Sequence, residues 1–397
     1  MSTIAITGAG IVSAIGVGKS ATLAALRSVA SGIGPRRYLH SAHDEFPLGE
    51  VKLSDSEMKQ RLGITAEPTT RTALMGMLAM DEALDQARLL RGADGARVAL
   101  ISGTTVGGMD KSERFYLDFL AGDSRNAYID THDCGATTQM IADRYGFFTI
   151  ATSISTACSS AANAFVLGAN LLRAGMADIA VVGGSECLSK FHLNGFNSLM
   201  ILDREPCRPF DATRAGLNLG EGAAYLVLET EETALRRGAT PLATLSGYGN
   251  ACDAFHQTAT SPEGNGAFLA MSKALKMARL KPADIDYVNA HGTATPNNDA
   301  TESQALIRLF GKELPPVSST KGMTGHTTSA SGSVEATICL LALQEQLVPV
   351  NCGFGGNAMP DGIRPATDPV PTRKLRHVMC NSFGFGGNDT SLIISKL

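Results

Sequence analysis

The sequence has no Cys-x-x-Cys pair, no long apolar run, no basic N-terminal head and no excess of positive charge. Each absence removes a class of protein. The cysteines stand at positions 134, 158, 187, 207, 252, 339, 352 and 380, too scattered for a zinc ribbon. A disulfide framework does not suit a chain of 397 residues that opens with no export signal. Most of these thiols are expected to be small buried hydrophobes. The opening Met1-Ser2-Thr3-Ile4-Ala5-Ile6 lacks the charged head and apolar core of a signal peptide. The apolar stretch 338–343 is cut by Gln344 and Glu345, so no segment has the length of a membrane span. A formal net charge of −4 argues against a nucleic-acid footprint. The expectation is a soluble, cytoplasmic protein.

What is present points to a large buried core. Hydrophobic residues make up 44% and charged residues 18%, which excludes disorder. The 42 glycines imply many tight turns and close backbone approaches. Short β-branched runs at 4–7, 97–102, 179–182, 223–228, 285–289 and 378–381 predict strands. Ala/Leu-rich stretches at 70–88, 159–174, 266–278 and 333–346 predict helices. The alternation argues for α/β layers. A pattern of strand, tight turn and small-residue helix start occurs around 155–160 and again from Ser319 through His326. A duplicated unit with halves 1–240 and 241–397 fits this repetition.

Two glycine motifs fail on inspection. Gly18-Lys19-Ser20 would complete a P-loop only with glycine at position 13, which is Ser13. The same Ser13 denies Gly8-Ala9-Gly10 the third glycine of a dinucleotide fingerprint. Gly8-Ala9-Gly10 is therefore read as a strand-to-helix turn. The repeated Gly-Phe-Gly-Gly-Asn follows a clear strand only at 384–388; the copy at 353–357 reads as a surface turn.

Cys158 follows a strand-like segment and opens a helix of small residues. A thiol there meets the positive end of the helix dipole, which predicts a lowered pKa and an oxyanion site at its own N–H. His291, in Asn289-Ala290-His291-Gly292-Thr293-Ala294-Thr295, and His326, in Lys321-Gly322-Met323-Thr324-Gly325-His326, both stand at strand-to-helix junctions. Such junctions are where α/β proteins place their sites. A cysteine with two histidines in these settings is a candidate nucleophilic site.

These segments, with Thr156-Ala157-Cys158-Ser159-Ser160, Arg208-Pro209-Phe210-Asp211, Gly220-Glu221-Gly222-Ala223 and Asn381-Ser382-Phe383-Gly384-Phe385-Gly386-Gly387, resemble the β-ketoacyl-acyl-carrier-protein synthases of the elongating type. The resemblance runs from Ile4 to near the C-terminus. It implies the thiolase fold, with duplicated halves in five αβαβα layers, and a dimer. It implies that Cys158 takes the acyl chain and that His291 and His326 serve the malonyl unit. It further implies that Lys321 pairs with Glu335 and that the N–H groups of Cys158 and Phe385 form the oxyanion hole. Phe385, with Phe383 beside it, would gate the site. Thr293 and Thr295 would hold the pantetheine arm. The 4′-phosphopantetheine would arrive on the acyl carrier protein, so no cofactor and no metal is implied.

Four places depart from the pattern of housekeeping fatty-acid enzymes: Asn388-Asp389 after the glycines, Ala215 after Arg214, Gly322 after Lys321, and Thr327-Thr328-Ser329-Ala330 after His326. The segment 187–203 is similar to synthases of aryl-polyene and type II polyketide clusters. That implies conjugated chains and a homologous chain-length subunit as partner, in place of or beside a homodimer. Housekeeping elongation is the alternative. A non-catalytic chain-length subunit would lack Cys158 or a histidine. A thiolase would use coenzyme A and a second cysteine, for which Cys380 is the candidate, but His326 fills the second-histidine position. Basic residues within 52–71, with Arg204 and Arg208, are candidates for docking an acidic carrier.

Overall fold

The computed structural model describes residues 3–65, 68–93, 95–122, 126–311 and 313–397. The first half contributes β1 (Ile4–Ser13), the short hairpin strand β2 (Gly16–Val17), β3 (Val98–Gly103), β4 (Phe148–Ile154), β5 (Ile179–Glu186) and β6 (Gly222–Thr230). The second contributes β7 (Ala243–Cys252), β8 (Tyr287–Asn289), β9 (Val317–Ser318), β10 (His377–Gly384) and β11 (Asn388–Ser395). β2 apart, the strand order is β4-β3-β5-β6-β1-β7-β11-β10-β8-β9.

Read outward from the centre, the two halves repeat. In each, the first strand pairs antiparallel with the fifth, the fifth antiparallel with the fourth, the fourth parallel with the second, and the second parallel with the third. The halves join through β1 and β7, where Ala5 lies opposite Thr244 and Ile6 opposite Ala243. The duplication legible in the motifs is thus a duplication of topology.

Five layers follow from the apolar clusters. Helix Arg71–Gln86 packs on the outside of the first sheet, its Met75, Ala79 and Ala83 sharing a cluster with Val181 and Tyr225 of the strands. Helix Asn265–Ala278 does the same on the second sheet, its Met271 sharing a cluster with Val288, Met379 and Ile393. Between the sheets lie helices Ser160–Arg173 and Ser331–Glu345, in a core that both sheets share. The second of these is buried from Ser331 to Leu343, as a helix apolar on all sides must be. The two central helices nearly touch at their starts. A Cβ on Gly332 would fall 2.6 Å from the Ala162 nitrogen, so only glycine permits this approach. It brings the turn before one helix up to the turn before the other.

One turn reading is corrected. Gly8 and Gly10 lie inside β1, not in a strand-to-helix turn. Side chains there would strike the carbonyls of Ala83 and Ala79 at 2.2 and 2.0 Å. The glycines serve helix-on-sheet packing. Gly353–Asn357, by contrast, is a solvent-facing loop, as the sequence suggested.

Candidate active site

The helix Ser160–Arg173 is preceded by a tight turn in which Ala157 holds φ at 53°. That left-handed backbone is costly for a residue with a Cβ and turns Cys158 toward the second half of the molecule. There the Cys158 Sγ meets His326 Nε2 at 3.1 Å. His326 is reached from β9 through a one-turn helix, Lys321–Thr324, and Gly325. Its main chain is pinned by Asn218 and Gly220, since His326 N–H donates to Asn218 O and His326 O accepts from Gly220 N–H. His326 Nδ1 faces Ser331 Oγ at 3.0 Å. A hydroxyl donates or accepts, so Ser331 supports either imidazole tautomer.

His291 leaves the end of β8. Its ring stands edge-on to that of His326, with centroids 5.3 Å apart. Glu302 fixes the turn, accepting from the N–H groups of His291 and Gly292 at 2.9 and 2.8 Å. His291 Nδ1 is buried without a partner among the described residues. The sulfur and the two ring systems present ligand atoms within 4.8 Å of one another, the one such group among the described residues. A metal ion would fit that donor set by type. It would also face the Lys321 ammonium, whose charge already acts on both imidazoles.

Lys321 and Glu335 are buried and in direct contact. Burial pushes the Glu335 carboxyl up to about 7, while Lys321 draws it down. Burial, and then the Lys321 charge, hold His291 and His326 well below their ordinary value. Both imidazoles are therefore neutral near pH 7 and are able to donate an N–H to an oxyanion.

The acidity expected of Cys158 is reversed. Burial pushes its thiol up to about 11, although Lys321 and the N–H of Phe385 pull the other way. The helix end does not offset the loss of water, because only 6% of Cys158 remains exposed. Cys158 rests as a thiol, and His326 is placed to receive its proton.

A cavity of about 320 Å³ opens over the sulfur. One wall is apolar: Phe196, Leu199, Met200, Ile201 and Leu217. The other is polar, with Thr258, Thr260, Thr293, Thr295 and Asn297. Thr293 and Thr295 bond each other at 2.9 Å. Phe383 and Phe385 lie on the floor, and Phe385 stacks on Phe196 with centroids 5.8 Å apart and planes at 22°. The Phe385 N–H is aimed at the Cys158 sulfur. Cys380 is buried, with Cys339 beside it and then burial raising its thiol, and it does not line the cavity.

Three functional groups escaped the sequence. Glu302 lies 11 residues beyond His291 on helix Pro296–Phe310, whose Pro296 at its start was the available signal. Ser331 was passed over as one of many small residues. Asn388 accepts from Ser159 Oγ, Asn163 Nδ2 and Asn250 Nδ2 at 2.8, 2.8 and 2.9 Å. It thereby ties the loop carrying Phe385 to the nucleophile's helix. The basic set is also thinned. Arg71 is buried against both oxygens of Glu221, and Arg208 is paired with Asp203.

A duplicated α/β sandwich with a thiol and two neutral imidazoles facing an acyl-sized cavity defines a thiolase-fold acyl-transfer enzyme. Comparison with known proteins narrows this. The Beta-ketoacyl synthase, N-terminal domain, matches residues 1–234, and the Beta-ketoacyl synthase, C-terminal domain, matches residues 242–355. The 3-oxoacyl-[acyl-carrier-protein] synthase 2 of Coxiella burnetii is 30% identical over 99% of this chain and 98% of its own. A putative mitochondrial 3-oxoacyl-[acyl-carrier-protein] synthase of Schizosaccharomyces pombe is 37% identical over 64% of either chain, so that alignment spans under two thirds of the relative. Among solved structures, the ketosynthase (ApeO) in complex with its chain length factor (ApeC) from Xenorhabdus doucetiae superposes with a TM-score of 0.86 at 30% identity. It covers 100% of this chain and 98% of that one. The chain belongs to the β-ketoacyl synthase family.

Proposed function

We propose that this chain catalyses the decarboxylative condensation of an acyl group held on Cys158 with a malonyl unit held on an acyl carrier protein. The observation that carries this reading is the Cys158 sulfur within 3.1 Å of His326, with His291 alongside and both imidazoles neutral. As the acyl thioester approaches, Cys158 gives its proton to His326 and attacks the carbonyl carbon. The N–H groups of Cys158 and Phe385 receive the oxyanion, and the carrier thiol leaves with a proton. The malonyl thioester then enters along the polar wall, with Thr293 and Thr295 on its pantetheine arm. Loss of carbon dioxide leaves an enolate, whose oxygen accepts from His291 and His326. The enolate carbon bonds the acyl carbon, and the Cys158 thiolate departs. Burial, and then the Lys321 charge, keep the imidazoles neutral, and Glu335 holds Lys321 in place. The pantetheine comes with the carrier, and these side chains supply the rest.

We place the chain in polyketide-type or aryl-polyene elongation, on the strength of its likeness to a ketosynthase held by a chain length factor, and we assign it to the cytoplasm. We further propose a homologous chain-length subunit as its partner, with a homodimer as the other arrangement. β4 supports a partner: it is the terminal strand of the sheet and is half exposed. Helix Met109–Ala121 nearby leaves Leu117 and Leu120 in solvent.

The test mixes acyl-loaded and malonyl-loaded carrier with the protein, then follows carbon dioxide release and product mass. Wild type is expected to condense, alone or with its partner subunit, and Cys158→Ala to lose condensation by at least about a thousandfold. Condensed product from Cys158→Ala at the wild-type rate would end this mechanism.

A further inference from the structure

Asp389 follows the loop that carries Phe385 to the nucleophile. It is fully buried, and neither carboxyl oxygen has a hydrogen-bond partner. It lies opposite Phe383 across the β10–β11 pair and packs beneath helix Asn265–Ala278. The fit is close: a Cβ on Gly266 would fall 2.2 Å from Asp389 Oδ2. Two charged groups act on it, Asp253 from the segment after β7 and Glu302 from helix Pro296–Phe310, and both are carboxyls. An ionised carboxylate in that position would be dry, unpaired and repelled.

The loop itself is fastened at several points. Gly386 N–H donates to Gln257 O, and Asp253 N–H donates to Gly387 O. Asn388, next to Asp389, takes two side-chain donors from the nucleophile's helix, Ser159 and Asn163, and a third from Asn250 on β7. Gly386 and Gly387 hold φ at 81° and 76°, the conformations of a glycine hinge. Asp389 is therefore the buried anchor at one end of a hinged segment.

We propose that Asp389 is a positioning residue for Phe385: as a neutral carboxylic acid it lets the 385–388 loop seat on Cys158, and its ionisation unseats that loop. Phe385 directs its N–H at the reacting sulfur, and Asp389 acts only through it. Burial first, then Asp253 and Glu302, push the Asp389 carboxyl up to about 8 in the seated state. In an unseated loop it is an ordinary aspartic acid, near about 3.9. The seated state binds the proton more tightly. Its advantage is full below about 4, falls as pH rises and levels off above about 8, by up to about tenfold per pH unit.

Hydrogen exchange of peptides spanning 383–390, corrected for the intrinsic pH effect, tests this without requiring turnover. Failure of the condensation reading would leave the exchange result standing, so the two are separable. Protection in the wild type should fall between pH 6 and pH 8, while in Asp389→Asn, which cannot ionise, it should stay level. Parallel profiles in the two proteins would overturn the proposal. So would protection that follows added potassium at fixed pH, because an ion would then occupy the pocket. If Asp389→Asn does not fold, the wild type decides alone against β1 peptides as reference, and a loop with no excess pH response ends the idea.

Discussion

The turn before each central helix is built alike, and the two turns have opposite fates. Ala157 and Thr328, with φ at 53° and 46°, each stand three residues before their helix begins. The residues that follow are Cys158 and Ser329. Cys158 looks across at a neutral imidazole and into an open cavity. Ser329 donates instead to the Glu186 carboxyl. That carboxyl also accepts from Thr104 Oγ1, from Thr105 N–H and Oγ1, and from Val106 N–H. The Thr104–Val106 segment leaves β3 just as the segment bearing His291 leaves β8. One copy of the turn is thus exposed to a cavity, and the other is sealed by a carboxyl with five donors. The strained backbone is common to both; what lies opposite decides whether the turn is a site.

Exchanging the two residues is the strongest way to break that comparison. Cys158→Ala combined with Ser329→Cys should stay inactive, with the loss of about a thousandfold or more undiminished in a carrier-based condensation assay. Recovery of activity would show that the second turn reaches substrate. Ser329→Ala alone should lower unfolding free energy by about 2 kcal/mol, read by denaturant titration, and leave kcat unchanged. A fall in kcat without a stability change would mean that the sealed turn takes part in chemistry. The smallest effect concerns the thiol. Because the Cys158 thiol is pushed up to about 11, its alkylation by iodoacetamide should keep accelerating through pH 10. A plateau near pH 8 would place the thiolate far lower than the burial described above allows.

The sequence carried local geometry well. Cys158, His291 and His326 were legible because each stands in a glycine- and hydroxyl-rich turn at a strand end, and such turns have short-range signatures. Helices 71–86 and 160–173 were near their predicted bounds for the same reason. What failed was the environment. The helix dipole beneath Cys158 is local, whereas the desolvation that outweighs it is tertiary. The Asn388 anchor joins residues more than 200 positions apart, and no periodicity announces it. β11 was missed because Asn388, Asp389 and Ser391 make its first half polar. Gly8 and Gly10 were misread because glycine in a strand and glycine in a turn look alike until a helix is found lying on them.

The β1–β7 pairing that joins the halves bears on how such a molecule came to exist. Cys158 belongs to one repeat, His291 and His326 to the other, and the cavity draws its apolar wall from the first and most of its polar wall from the second. A half-length ancestor bound to its own twin would have had two equal seams and no reason to favour either. Within one chain the copies are free to differ, and here one seam opens on the cavity while the other closes around Glu186.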